Sequence, residues 1–177
     1  MNNPKRNRPN ILITGTPGTG KSSLAESIAS SLNLNHFDIG KLVKEKELYE
    51  GWDDEFQCWI IDEDKVIDEL DPILIQGGCV VDHHTSEWFP ERWFDLVVVL
   101  RADIENLNER YEKRNYSQIK ITNNIDCEIM QVCLDEAIRS YDEKIIKEMT
   151  SNSIEDNEEN QNTVGEWYNN WMQHNQI

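Results

Sequence analysis

The chain has 177 residues, the length of one domain that buries about 70% of its unfolded surface. Its 17 Lys and Arg against 34 Asp and Glu leave a net charge of −17. That balance excludes a broad phosphate-gripping surface for DNA or RNA, so no direct DNA binding is expected. It is compatible with a basic protein partner and equally with solubility alone. Apolar residues make up 38% and the mean hydropathy is −0.68, so some polar segments are expected outside the core. The four cysteines (Cys58, Cys79, Cys127 and Cys133) show neither CxxC spacing nor a disulfide framework. With few histidines to help, they point to inert thiols in a reducing compartment rather than to a zinc site. The segment from Met1 to Asn10 carries Lys5, Arg6 and Arg8 but lacks the apolar centre of a signal peptide. No apolar run reaches the length of a membrane span. The expectation is a soluble intracellular protein, with too few basic residues at its start for a nuclear signal.

The first predicted strand is Ile11-Leu12-Ile13, and it leads into Gly15-Thr16-Pro17-Gly18-Thr19-Gly20-Lys21-Ser22. A helix follows, with Leu24, Ile28 and Leu32 at helical spacing beside Ala25 and Ala29. Strand, glycine-rich turn and helix in that order make a phosphate cradle. The glycines let the backbone curl with its N–H groups inward, and the helix presents the positive end of its dipole. In this pattern the lysine, Lys21, reaches the β- and γ-phosphates and the hydroxyl of Ser22 ligates Mg²⁺. The full GxxxxGK[ST] pattern in this context predicts binding of a nucleoside triphosphate, where Gly18-x-Gly20 alone would be a weak signal.

Further along, Asn35–Ile39 is a predicted short strand ending at Gly40, and Lys41–Leu48 a helix with Leu42, Val43 and Leu48 inward. Tyr49–Asp54 is expected to be a loop, and Asp62–Leu70 a helix with acids at its start, which favour the macrodipole. Gly77-Gly78 breaks the chain before Cys79-Val80-Val81-Asp82, an apolar strand ending in an acid. Pro90 punctuates an aromatic-rich loop holding Trp88, Phe89, Trp93 and Phe94. Leu96–Leu100 is an unbroken apolar run, the mark of a parallel strand covered on both faces. Asp103 is expected to cap a helix to about Arg114, followed by a mobile polar loop over Asn115–Asn123. One long helix is then predicted through Ile125, Ile129, Val132, Ala137 and Tyr141, with a last strand starting at Ile145-Ile146. Ser151–Asn162, acidic and rich in Asn, predicts a flexible connection to a terminal helix with Val164, Trp167, Trp171 and Met172 inside. Alternating strands and helices give a doubly wound, parallel α/β sheet of the P-loop type, with its ligand at the carboxyl ends of the strands.

Other groups fit the same chemistry. Asp82 ends an apolar strand, where an acid holds Mg²⁺ or else caps the next turn. His84 either positions or deprotonates a water or hydroxyl, or is an exposed loop imidazole. Phosphoryl transfer builds negative charge on oxygens, so cations must converge on it. Arg101 follows the strongest strand, at the end where ligands bind, and is a candidate substrate residue, while Arg110 and Arg114 share one helix face next to the polar loop. Either of the latter two binds phosphate on closure or pairs with Glu109 and Glu112.

With these residues placed, the chain resembles the adenylate kinase isoenzyme 6 family from Pro9 to Trp171. The carriers are Pro9-Asn10-Ile11-Leu12 leading into the phosphate loop, Leu48-Tyr49-Glu50-Gly51, Leu70-Asp71, Gly77-Gly78, and Val81-Asp82-His83-His84. Phe89-Pro90-Glu91-Arg92-Trp93 and Asn124-Ile125-Asp126-Cys127-Glu128-Ile129 complete the set. The resemblance implies a five-stranded nucleoside-monophosphate kinase fold with a short lid, using ATP and Mg²⁺ with AMP as acceptor, plus ATP hydrolysis. It implies Gly15, Gly18, Thr19, Gly20, Lys21, Ser22 and Ser23 around the ATP phosphates, and Arg114 from a lid over 113–123. It makes Asp82 and His84 an altered Walker B pair and places the monophosphate segment at 38–61. It further implies a monomer working in small ribosomal subunit maturation, in nucleus and cytoplasm, beside a basic small-subunit ribosomal protein. The chain departs from the pattern at Lys41 and Lys44, where the family commonly has an acid and an arginine. A lysine is a point charge without the guanidinium fork, so Lys41, Lys44 and Lys46 are left to hold the acceptor phosphate. Two other readings stay open: an ATP-switched assembly factor with vestigial kinase activity, and a small P-loop kinase of a metabolite.

Overall fold

In a computed structural model, residues 6–175 are described, and Lys5 lies outside them. Five strands form one parallel sheet in the order β2-β5-β1-β6-β7. They are β1 Ile11–Gly15, β2 Asn35–Asp38, β5 Cys79–Asp82, β6 Leu96–Arg101 and β7 Ile146–Thr150. Side chains alternate across the pleat, so each central strand feeds two cores. Leu12, Val81, Val97 and Val99 point to one face, where they meet Val66, Leu70 and Leu74 of α3 (Glu63–Leu74) and Ala137 of α6 (Val132–Ser140). The aromatic loop closes this face, because Phe89, Trp93 and Phe94 are buried in it rather than solvated. Ile11, Ile13, Val80, Val98 and Leu100 point the other way, against Leu24 and Ile28 of α1 (Lys21–Leu32) and Val164 and Tyr168 of α7 (Ile154–Asn175). A sheet buried on both faces explains the continuous apolar runs.

Several boundaries differ from the sequence reading. Tyr49–Asp54 is not a loop: β3 (Tyr49–Asp53) pairs antiparallel with β4 (Cys58–Ile61) in a hairpin outside the main sheet. In it Trp59 stacks on Tyr49 at 4.0 Å, and the exposed Trp52 stands edge-on to Trp59 at 4.9 Å. The polar stretch after Arg114 is not a mobile loop either. Helix α4 (Ile104–Lys113) ends, and α5 (Gln118–Ile129) begins four residues after Arg114, capped by the Ser117 hydroxyl accepting from Lys120 N. The predicted long helix breaks at Gln131, which has φ +57°, leaving Ile129 exposed. Ser151–Asn162 is not a flexible connection: α7 starts at Ile154, with Asp156 accepting from Asn152 N and Asn160 reaching Thr150 O. The acids in that segment sit in the first turns, where the helix dipole favours them. Tyr168, not Trp171, is the buried aromatic of α7.

The basic start of the chain is structural. Arg6 donates to Trp93 O and to Asp95, and Arg8 to Tyr168 Oη and Leu32 O. Gly77 lies under this strap with φ +84°, and a Cβ there would stand 2.2 Å from the Arg8 carbonyl. Gly165, in α7, has no atom within 4 Å of such a position. Gly77→Ala should therefore cost at least about 2 kcal/mol, while Gly165→Ala should stabilise by roughly 0.5–1 kcal/mol. Urea denaturation of the two variants measures both.

Candidate active site

The segment from Thr16 to Gly20 wraps over the N-terminus of α1, and each carbonyl along it from Thr16 to Thr19 accepts a hydrogen bond. Thr16 O takes Thr19 N at 3.2 Å, Thr19 Oγ1 at 2.8 Å and Lys21 Nζ at 3.3 Å. Pro17 O takes the Tyr111 hydroxyl, Gly18 O takes Arg110 Nη1 at 2.9 Å, and Thr19 O takes Ser151 Oγ at 2.6 Å. The Tyr111 ring lies so close under Gly18 that a Cβ there would meet it at 2.7 Å, and φ is +87°. Holding the carbonyls outward turns the N–H groups to the concave side, which is the geometry of an anion nest.

At the start of α1, Ser22 Oγ donates to Asp82 Oδ1 at 2.9 Å and lies 3.4 Å from Asp38. Asp82 is buried at the end of β5, and its second oxygen accepts from His36 Nε2. A hydroxyl and a carboxylate in contact are hard oxygen donors that fit Mg²⁺, which takes one or two carboxylates and completes its shell with water and phosphate. Among the described residues no cluster of three or more His, Cys, Asp or Glu is built for a metal, so the donors suit an ion arriving with phosphates.

Lys21 is half-buried, and the protein packed around its ammonium lowers its pKa to about 8. The Arg114 charge pushes the same way, while Cys133, Asp82 and Asp38 oppose it. His84 is accessible to solvent along one side while protein crowds the other. Burial first, then the Lys21 and Lys120 charges, bring it to about 4. The imidazole is therefore neutral at pH 7 and able to accept a proton. His83 is buried and stacked on His84 at 4.3 Å, and its Nδ1 accepts from Thr85 N at 3.1 Å.

Two clefts flank the phosphate loop. One, of about 500 Å³, runs from Gly18, Gly20 and Ser23 past Arg114 to Ser151 and Asn152. The other, of about 440 Å³, holds Lys21, Ser22, Asp82 and His84 on its floor and Trp52 and Trp59 of the hairpin on its wall. The sequence-predicted residues divide accordingly. Lys21, Ser22, Asp82 and His84 share the second cleft, and Arg114 opens on the first with none of the hydrogen bonds or ion pairs among the described residues involving its side chain. Arg110 also lines the first cleft, with its guanidinium engaged by the loop: besides Gly18 O it clamps Ser151 O and Asn152 O at 3.0 and 3.2 Å. Arg101 is committed to Glu128 at 2.6 Å and Glu148 at 3.2 Å, which corrects its reading as a substrate residue. Lys41 and Lys44 lie exposed on α2 (Ile39–Glu45) outside the cleft lining, and Lys46 pairs with Glu69. Sequence reasoning missed His36, Tyr111, Glu128 and the two hairpin tryptophans. Glu128 had a signal in its place in the Asn124–Ile129 string, and the two tryptophans had one in lying within the 38–61 segment.

A parallel sheet with a phosphate loop after its first strand, and a cleft on either side of that loop, is the architecture of a P-loop kinase. The fold matches shikimate kinase from Bacteroides thetaiotaomicron over 90% of this chain and 97% of that one, with a TM-score of 0.57 at 12% identity. Residues 11–131 match a family model described as an AAA domain. The chain is 65% identical to the adenylate kinase isoenzyme 6 homologue of Dictyostelium discoideum, covering 98% of this chain and 99% of the relative. To the Schizosaccharomyces pombe homologue it is 49% identical, over 97% and 98% of the two chains. The chain belongs to the adenylate kinase isoenzyme 6 family.

The buried histidine makes a prediction about acid. Burial, then the charge of His84, holds the His83 pKa well below 6.5, so below that pH the unfolded chain binds a proton that the folded one refuses. Stability is therefore full above pH 6.5 and falls as the solution is acidified, with a slope approaching about 1.4 kcal/mol per pH unit from this group. His83→Gln should flatten the dependence of the urea midpoint between about pH 6.5 and 5, by the slope one proton carries.

Proposed function

We propose that this protein transfers the γ-phosphoryl group of ATP to AMP. The observation that carries the reading is the pair of clefts on either side of one phosphate loop, since a hydrolase needs only one. The triphosphate lies along the N–H groups of the loop. Its adenosine points into the first cleft toward Ser151 and Asn152, and the acceptor enters the second against the hairpin tryptophans. Lys21 and Arg114 bracket the transferring group and neutralise the charge that spreads over its oxygens. Ser22 and Asp82 would hold Mg²⁺, which when bound supplies further neutralisation of the phosphates. His84, neutral and partly open to water, accepts a proton when water takes the acceptor's place, so an accompanying ATPase activity belongs to the same site.

The wider role implied by the resemblance stands with this reading: a monomeric factor of small ribosomal subunit maturation, found in nucleus and cytoplasm, beside a basic ribosomal protein. The net charge of −17 supports a basic partner. In the competing form of the reading ATP acts mainly as a switch on that partner, and phosphate release then proceeds without AMP.

The deciding measurement is ADP formation from ATP and Mg²⁺ with and without AMP. Strong stimulation by AMP is expected, and AMP-independent phosphate release at the same rate would refute phosphotransfer as the main activity. Lys21→Ala should lower both activities at least about a hundredfold, and Arg114→Ala should lower kcat by about a thousandfold, the scale of an arginine on a transferring phosphoryl group. Because the free enzyme loses the Lys21 proton near pH 8, kcat/KM for ATP should fall as pH rises through about 8.

A further inference from the structure

Glu128 is a buried carboxylate that the reaction just described does not use. It sits in the last turn of α5 and is fully partnered. Oε2 accepts from Thr16 Oγ1 at 2.5 Å, Oε1 from Arg101 Nε at 2.6 Å and Ala102 N at 3.4 Å, and its own carbonyl from Arg101 Nη2 at 3.1 Å. A buried charge survives only when paired and hydrogen-bonded, so these contacts fix the side chain in one place. Thr16, 1% exposed, is thereby held at the first bend of the phosphate loop, and its carbonyl holds Lys21 Nζ. The chain of contacts runs from the end of β6 through α5 into the loop and stops at the ammonium that meets phosphate.

We infer that Glu128 is a positioning residue that couples the phosphate loop to helix α5, acting on Lys21 through Thr16. The helix starts just after the Arg114–Ser117 turn, so a loop stiffened by triphosphate stiffens the element that carries the lid. By linkage, an ordered lid tightens the grip of the loop on triphosphate. The coupling has a physical carrier, a continuous run of charge-assisted hydrogen bonds between two elements 112 residues apart in sequence. The inference deepens the ATP reading above and rests on it.

The test uses the full chain, Mg²⁺ and the β,γ-imido analogue of ATP, with affinity from titration and lid order from amide hydrogen exchange over residues 113–123. In the unsubstituted protein the analogue should bind and slow exchange in that segment. Thr16→Val keeps the shape and removes the donor. It should weaken the analogue about tenfold, the scale of one charge-assisted hydrogen bond, and abolish the ligand-induced protection. Thr16→Ser keeps the hydroxyl and should return both readouts to within about twofold of the unsubstituted protein. Glu128→Gln removes the charge from the other side, and combined with Thr16→Val it should add no further loss. A purely structural role would move the thermal midpoint and leave the ligand-induced protection intact. Unaltered affinity and protection in folded Thr16→Val and Glu128→Gln would overturn the coupling alone. Failure of the unsubstituted protein to bind the analogue would overturn the ATP reading with it.

Discussion

The structure depends on one constraint, the disposal of four backbone carbonyls. A loop that offers its N–H groups to an anion must turn its carbonyls away, and carbonyls left without donors in a packed interior cost free energy. Here those of Thr16, Pro17, Gly18 and Thr19 are met by donors from Thr19 of the loop itself, α1, α4 and the turn after β7. Arg110 spans Gly18 and the Ser151-Asn152 turn with one guanidinium. The nest is therefore preorganised, and the cost of curling the backbone is met on folding rather than on binding. Tyr111 adds the steric half of the same arrangement, since its ring leaves room at position 18 for glycine alone.

A second consequence is electrostatic. The chain carries a large excess of acid, yet around Lys21 burial outweighs the pull of Asp82 and Asp38. Lys21 gives up part of its affinity for a proton because burial and then Arg114 oppose its charge, and the acids nearest it only partly compensate. What Asp82 and Asp38 leave uncompensated at Lys21, burial and the Arg114 charge together, a polyphosphate relieves. The acids elsewhere reinforce the contrast, because repulsion from the rest of the surface leaves this mouth as the place where an anionic ligand is tolerated.

The sequence made the fold legible where chemistry and periodicity agree. The phosphate loop, the apolar strands β1, β5 and β6 and the acid ending β5 follow from glycines, runs of Val and Leu, and one strand-terminal Asp. It was misleading where polar residues do structural work. Ser151–Asn162 is acidic and rich in Asn, so it looks like linker, but Ser153 accepts from Asp156 N and Asp156 from Asn152 N, and such local bonds start helices as readily as they make turns. Asn115–Asn123 failed for the same reason, with Ser117 as the cap. The hairpin Tyr49–Ile61 alternates half-buried and exposed residues on only one side of a two-stranded ribbon, a pattern too short and too charged to separate from a loop. Arg110 and Arg101 lie beyond the reach of spacing arguments altogether. A guanidinium binds carbonyls, carboxylates and phosphates by the same fork, and only the packing decides which of them it meets.

The hairpin also changes what the departures at Lys41 and Lys44 mean. On spacing alone they weaken an acceptor site, because an ammonium cannot replace a forked guanidinium. In the structure both lie exposed outside the cleft, whose wall is instead aromatic: Trp59 is packed on Tyr49, and Trp52 stands edge-on to it with 46% of its surface exposed. A planar acceptor entering there meets a π-face before it meets a charge, and stacking on an aromatic contributes roughly 1–3 kcal/mol per base. In the reading proposed above its phosphate would lie toward Lys21 on the cleft floor, the cation proposed to hold the donor. On that reading, discrimination among acceptors would shift from phosphate grip, which every nucleotide satisfies equally, to the shape of the base against Trp52 and Trp59.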